Sequence, residues 1–345
     1  MADKGYLEQF TRREKELETL FARPADPDTI PIVNPKALRT ALEDASMRSS
    51  EPIERFLKST CYRKLVKVNQ ATLRKVEDLR TDFPNFSEAI DFYLRCVSLN
   101  LRGKMQYLSA PPILLNGPPG IGKTRFADHL AKALSTEYHE ICCSTVTASF
   151  ILSGTSNAWS ESKPGKVFEY MRIGKTANPV MLIDEVDKLR GDYRYDGFGP
   201  LYGLLEKNTA KRFIDENFGM PMDCSHILWI GTSNELTPIP EPILSRLRTI
   251  EIDPPNRAQM RQVVRSIYRA ILEENHDWSR SFSDRLADEV IDRVDTLAPR
   301  TVKQFLIDAF GNAALRSKGR PDCALTTGDL FDAGPAQRPR IGFIQ

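Results

Sequence analysis

The spacing of hydrophobic positions changes twice along this chain. Up to about residue 80 the apolar residues recur at helical spacing, interrupted by proline-rich joints, and no glycine occurs between Gly5 and Gly103. YLEQFTRREKELETLF (6–21) has helical periodicity and good helix formers. ARPADPDTIPIVNP (22–35) has too many prolines for a helix and predicts a linker or an extended arm. Further helices are predicted over 35–47, 51–61 and 69–80. From 111 to 253 short apolar runs (ILLN, EICC, VMLID, ILWIGT, TIEI) alternate with helical segments. That alternation predicts an α/β fold with a parallel sheet flanked by helices. From 256 to 331 the pattern is helical again, in three amphipathic stretches: RAQMRQVVRSIYRAILEE, SFSDRLADEVIDRVDTL and RTVKQFLIDAFGNAALRS. No internal repeat is visible.

Composition changes this picture little. A length of 345 residues predicts two or three domains, and 41% hydrophobic with 27% charged residues is ordinary for a globular chain. A net charge of +2 gives no whole-chain field that argues for nucleic acid or membrane. The N-terminus, MADKGYLEQFTRREKELE, lacks the apolar core of a secretory signal, and runs such as PVMLI and ILWI are too short to cross a bilayer. Six cysteines, at 61, 96, 142, 143, 224 and 323, form no CxxC pair. That argues against zinc and against a disulfide framework, and predicts reduced thiols in a cytoplasmic protein. One local charge feature stands out. Residues 55–75 carry seven Lys/Arg and no acid. This run reads either as a solvated helical face or as a docking surface for an acidic partner or nucleic acid, with few aromatics to stack on bases.

The candidate chemistry lies in the middle segment. APPILLNGPPGIGKTRFADHLAKAL (110–134) reads as strand, glycine-rich loop and helix. Its loop runs Gly117, Pro118, Pro119, Gly120, Ile121, Gly122, Lys123, Thr124. Backbone N–H groups that converge on an anion need residues with unobstructed approach and free φ, and the following helix aims its positive end at the phosphates. Lys123 would reach the β- and γ-phosphates of ATP and Thr124 would ligate Mg²⁺. In PVMLIDEVDKL, four apolar residues run into Asp184 and Glu185. Asp184 suits a carboxylate that organises Mg²⁺, and Glu185 suits the base that orients the attacking water. HILWIGTSNEL is another apolar strand, ending at Asn234, whose neutral amide would hold that water without repelling it. Arg246, Arg248 and Arg300 are candidates for the positive charge that phosphoryl transfer needs.

Taken in order, GPPGIGKT, KPGKVFEYMRIGKTANPVMLIDEVDK, LLEKNTAKRFIDENFGMPMDCSHILWIGTSN and IPEPILSRL resemble an AAA+ ATPase, specifically the ATPase module of the Lon proteases. The resemblance runs from about residue 81 to 331. It implies a nucleotide-binding α/β subdomain at 81–255 and a helical lid at 256–333, which leaves the N-terminal region at 1–80, read as helical from its own pattern and of no assigned role, and a tail at 334–345. It also implies roles. Lys123 and Thr124 resemble Walker A residues, Asp184 and Glu185 Walker B, Asn234 sensor 1 and Arg300 sensor 2. Arg246 resembles the finger that enters the neighbouring subunit's site, which implies a ring, usually a hexamer. Residues 82–101 match the helix that helps bracket the adenine. Ser245 departs from the acid usual before the finger. The chain stops at Gln345, where a Lon protease domain would begin, so an ATPase that does not itself cut peptides is expected. SGTSNAWSESKPGK (153–166) falls on the family's first pore loop, with Trp159 where an aromatic grips a translocating polypeptide. Tyr193 and Tyr195 fall on the second, and the neighbours Ser160 and Glu161 depart from the family pattern. The leading expectation is an ATP-driven protein remodeller. The alternatives are a nucleic-acid-associated AAA+ regulator of a mobile-element or defence system, and a nucleotide-switched scaffold.

Overall fold

A computed structural model describes residues 22, 24–44, 56, 60–143, 149–155, 162–189, 196–318, 320 and 322–330. The predicted helix at 6–21 lies outside these residues, as do Trp159, Tyr193 and Tyr195. The chain forms two compact units. The first comprises Met1–Glu77, Glu88–Gly117 and Lys123–Glu251, and the second Asp78–Ser87, Pro118–Gly122 and Ile252–Gln345.

The first unit is built on a five-stranded sheet of β3 (Ile113–Asn116), β4 (Tyr138–Cys142), β5 (Val180–Asp184), β8 (Leu228–Ser233) and β9 (Arg248–Glu251). The strand order is β4-β5-β8-β3-β9 and every neighbouring pair is parallel. Both faces of such a sheet are covered, so its strands are continuous apolar runs. Accordingly β8 is buried at all six positions, and β3 and β5 at all but their last. The alternating texture of the sequence thus corresponds to the predicted parallel sheet.

The register brings three chain exits to one edge. Asn116 lies opposite Ser233 on one side and Glu251 on the other, and Ile183 lies opposite Gly231. Gly117, Asp184 with Glu185, and Asn234 therefore leave the sheet together at its carboxyl end, where open α/β sheets bind ligands.

The N-terminal segment joins this unit's core. β1 (Thr29–Pro31) pairs antiparallel with β2 (Tyr62–Lys64), and helix α1 (Pro35–Asp44) lies between them in sequence. Ile32, Leu38, Phe56 and Leu65 belong to the same buried cluster as Leu114, Ile141 and Trp229. Asn178, fully buried, links the layers: its amide accepts from Val66 N at 2.9 Å and donates to Val66 O and Leu108 O, both at 3.0 Å. Helix α2 (Gln70–Asp82) follows the prediction for 69–80. The helix predicted over 51–61 does not extend to its end: residues 60–61 are non-helical and lead into β2.

The basic run is also corrected here. It is not a helical face, since its centre is β2, and Arg63 is buried. Arg63 donates through Nε to Met171 O at 2.9 Å and through its terminal nitrogens to Thr60 O, Tyr62 O and Arg172 O. Met171 and Arg172 end the helix 166–173, so the guanidinium caps its negative end. Lys64 and Lys67 pair with Asp26 and Asp28, at 3.0 and 2.7 Å, so the acids missing from the run come from the arm before β1.

The second unit holds a long helix at Arg257–Glu274, a short one at Asp288–Val294 and another long one at Pro299–Ser317. Val264, Ile267, Ile291, Val302 and Leu306 form its core. Asn256 starts the first helix with a capping box closed by Gln259. The predicted helix over 281–297 is shorter than its pattern. Ser281 O accepts from Cys323 N at 2.9 Å and Cys323 O accepts from Ser283 N at 3.1 Å, which holds 281–283 extended. Phe282 then packs edge-on against Phe310, 4.9 Å between centroids. Tertiary pairing here outweighs local periodicity.

Candidate functional site

The edge where β3, β5 and β8 end carries a connected polar set. After β3 the chain turns through Gly117–Gly122 into helix Lys123–Leu134. Gly120 and Gly122 have φ of 80° and 103°, a region closed to most side chains, which is why glycine stands there. The first turn of that helix, KTRF, contains no acid, so its positive end is not neutralised from within. Lys123 is only 7% exposed, and its ammonium donates to Gly117 O at 2.5 Å and Asn234 Oδ1 at 3.0 Å. Thr124 Oγ1 donates to Asp184 Oδ1 at 3.0 Å. Four of the residues named from the sequence thus meet as two side-chain hydrogen-bonded pairs, Lys123 with Asn234 and Thr124 with Asp184, brought side by side because Lys123 and Thr124 are consecutive.

Two further residues belong to the set and were not named from the sequence. Thr232 Oγ1 donates to Asp184 Oδ1 at 2.6 Å and accepts from Glu185 N at 2.9 Å. It fixes both acids at the end of β5 through one hydroxyl. Asp187, 3% exposed, accepts from Asn234 N at 3.3 Å, with the Lys188 ammonium 3.2 Å from its other oxygen. The available signals were a hydroxyl at the end of an apolar strand and a third acid in DEVDK.

Electrostatically the site is one buried cation among carboxylates. Burial lowers the pKa of Lys123, while Asp184, then Asp187 and Glu185, pull it back up. Glu185 has left-handed backbone, φ 58° and ψ 53°. For a residue with a Cβ that costs about 1–2 kcal/mol, so the sheet end holds it against its preference.

Residues 113–254 match the family model "ATPase family associated with various cellular activities (AAA)". This span contains β3, the glycine-rich loop, both acids and Asn234. The chain carries an AAA ATPase domain. The domain is similar to the ATPase region of Lon proteases. It is 34% identical over 154 residues to Lon protease of Clostridioides difficile, covering 45% of this chain and 20% of that protein. It is 32% identical over 181 residues to Lon protease 1 of Thermus thermophilus, covering 52% and 23%. To the mitochondrial Lon protease homolog of Mus musculus it is 35% identical over 152 residues, covering 44% and 16%. The chain spans about a fifth of the length of these relatives. An AAA domain implies nucleotide binding and ATPase activity, and no described helix is long and apolar enough to cross a membrane.

The remaining sequence candidates sit elsewhere in the AAA domain and beyond it. Arg246 lies after the short helix Glu241–Leu244. Its guanidinium contacts Glu206 Oε1 at 2.9 Å and Pro242 O at 2.5 Å, and stands 5.8 Å from the Tyr202 ring centroid. Ser245 donates its hydroxyl to Pro242 O at 3.0 Å. Arg248 begins β9 and lies 5.4 Å over the Phe92 ring. Arg300 is exposed in the first turn of its helix in the second unit, and a Cβ built on Gly120 of that unit would stand 3.7 Å from Arg300 Cβ.

The loop that carries Trp159 is described only at its stem. Thr155 N donates to Lys163 O at 2.9 Å and Lys163 N to Thr155 Oγ1 at 2.7 Å. Beneath them Gly165 lies so close that a Cβ would stand 2.3 Å from Leu152 O. Asp215, 1% exposed, accepts from Gly165 N at 2.7 Å and from Asn217 N and Phe218 N at 3.0 Å. It ties the stem to the segment after β6 (Phe213–Ile214), which pairs with β7 (Pro221–Met222).

Proposed function

We propose that this chain is an ATP-driven protein remodeller, acting as a ring, usually hexameric in this class, that unfolds or threads a protein partner. The observation that carries the ATPase part is the hydrogen-bonded set of Lys123, Thr124, Asp184 and Asn234 at the carboxyl edge of a parallel sheet, inside an AAA domain. Lys123 and the N-terminus of its helix would hold the phosphates of ATP. Thr124 and Asp184, already 3.0 Å apart, are hard oxygen donors suited to Mg²⁺, which would supply positive charge at those phosphates. Glu185 would accept the proton of the attacking water, and Asn234 would orient that water. Arg246 would act from a neighbouring copy, and Arg300 would report nucleotide to the helical lid.

Trp159, with Tyr193 and Tyr195, is the proposed grip on the moving polypeptide. The reading extends the likeness to Lon ATPase modules and assigns no peptide-bond cleavage to this chain. The test is ATP-dependent loss of fluorescence from a folded fluorescent protein carrying an unstructured tail, with the product examined for intact length. Trp159→Ala should abolish unfolding while ATPase persists. Wild-type unfolding by that variant would remove the loop from the account. The nucleic-acid reading is weakened by the burial of Arg63 and the ion pairs of Lys64 and Lys67. DNA-stimulated ATPase without any effect of protein substrates would restore it.

A further inference from the structure

The carboxyl edge of the sheet carries a second polar chain, which runs from β8 across β3 to β9 and contains none of the residues given a chemical role above. Ser233 Oγ donates to Asn116 Oδ1 at 2.9 Å, and Asn116 Nδ2 donates to Glu251 Oε2 at 2.8 Å. Each of the three is the last residue of its strand. Asn116 lies opposite both Ser233 and Glu251 in the register, so the three side chains stand on one face of the sheet. Each partner then orients the next. A carboxylate only accepts, so Glu251 draws the amide N–H of Asn116 to itself and leaves the amide oxygen facing β8. That oxygen takes the hydroxyl proton of Ser233, which is 1% exposed, whereas Glu251 is exposed.

On both β3 and β8 the chain of bonds stops one residue short of the candidate site. Gly117 follows Asn116, and Asn234 follows Ser233. Gly117 N donates to Ser233 O at 3.2 Å, a second link between the same two strand ends. Lys123 closes a ring above them, with its ammonium on Gly117 O at 2.5 Å and Asn234 Oδ1 at 3.0 Å. The separation of the two oxygens that receive the ammonium is therefore set from below by the Asn116–Ser233 pair. Thr232 ties the other side of β8 to Asp184 at the end of β5. Thr232, Ser233 and Asn234 thus bond in turn to β5, to β3 and to the helix that Lys123 begins.

We propose that Ser233, Asn116 and Glu251 are positioning residues that hold Asn234 in place against the glycine-rich loop and so act on turnover through Asn234, a role that rests on the reading of this edge as the site of ATP hydrolysis. Nucleotide binding depends on Lys123 and the end of its helix, which keep the bond to Gly117 O when the chain is broken, so affinity is spared. The orientation of the attacking water by Asn234 is what a shift of the strand end disturbs. Small displacements of an orienting group cost rate through lost alignment.

The test is steady-state ATPase kinetics with ATP titration on the full chain, for Ser233→Ala, Glu251→Ala, Glu251→Gln and the double variant Ser233→Ala with Glu251→Ala, each checked for folding by urea unfolding. Ser233→Ala should lower kcat by about tenfold and leave the Kd for ATP within about twofold of wild type. Glu251→Ala should lower kcat by about threefold to fivefold, and Glu251→Gln, which keeps an oxygen to accept from Asn116, should restore most of that loss. The double variant should be no slower than Ser233→Ala, because both changes break one chain. Glu251 is exposed, so its two variants carry the test should Ser233→Ala fold poorly. Wild-type kcat in every folded variant, losses that multiply in the double variant, or a loss that Glu251→Gln does not relieve would overturn the proposal. Wild type and Glu185→Gln measured alongside separate the two failures. No ATPase in wild type, or full ATPase in Glu185→Gln, would overturn the reading of the edge and the proposal with it. Active wild type, inactive Glu185→Gln and indifferent chain variants would overturn the proposal alone.

Discussion

Asp215 holds three backbone N–H groups on two oxygens while buried at the base of the loop that carries Trp159. Burial raises its pKa to about 6, against hydrogen bonds from Gly165, Phe218 and Asn217 that lower it. A carboxyl whose folded pKa lies above its unfolded value of 3.8 binds more protons folded than unfolded between the two. Its contribution to stability is therefore greatest below about pH 4 and falls as pH rises towards 6. Asp215→Asn keeps an oxygen for the Asn217 and Phe218 N–H groups but turns an amide N–H towards Gly165 N–H. A loss of about 1–3 kcal/mol at pH 7 is expected, with a flatter stability–pH profile between 4 and 6, measured by urea unfolding across that range. Thr232 makes a sharper case for the nucleotide site. Thr232→Val keeps the shape but leaves Glu185 N–H and Asp184 Oδ1 without their shared hydroxyl. We expect turnover to fall by about tenfold to a hundredfold with nucleotide affinity nearly unchanged, by steady-state kinetics and nucleotide titration. At this scale the sequence named Lys123, Thr124, Asp184 and Asn234, which the structure brings together at one sheet edge. Thr232, Asp187 and Asp215 were missed because their importance is relational: each matters through the backbone or carboxylate it touches, and those partners are distant along the chain.

Among the elements, β2 shows where periodicity misleads. The run around Arg63 has the charge of an exposed face, yet its central arginine is enclosed and caps the helix Lys166–Ile173. Burial pulls the Arg63 pKa down to about 10, so it stays charged near neutrality and its carbonyl acceptors are needed. Arg63→Ala should destabilise by about 3–5 kcal/mol or prevent folding, while Lys64→Ala, at an exposed ion pair, should cost less than about 1 kcal/mol. Thermal and urea unfolding of the two variants separate these outcomes. Comparable small effects would mean that Arg63 does not hold the arm. The parallel strands were legible because burial on both faces writes continuous apolar runs. The ends of the helices predicted at 51–61 and 281–297 were not, because β pairing with residues remote in sequence decides them.

For the whole molecule, the alternating texture of 111–253 was enough to predict the sheet, and the glycine loop, the strand ending in Asp184 and Glu185 and the strand ending at Asn234 were enough to predict residues that the fold gathers at one edge. The arm's incorporation into the core was not legible, since Asn178 and the Ile32–Leu65 cluster act only once the chain is folded. On the proposed function this edge binds ATP and Glu185 is needed to split it. Glu185 sits in left-handed backbone, and Gln has the same shape and the same Cβ, so Glu185→Gln removes the carboxylate while leaving the backbone demand nearly unchanged. The most direct measurement is paired ATP affinity and ATPase rate for wild type, Glu185→Gln and Lys123→Ala. Glu185→Gln should bind ATP with near wild-type affinity and lose turnover by at least about a hundredfold, while Lys123→Ala should lose binding. Wild-type hydrolysis by folded Glu185→Gln, or undiminished ATP binding by folded Lys123→Ala, would mean that this edge is not the site of ATP binding and hydrolysis.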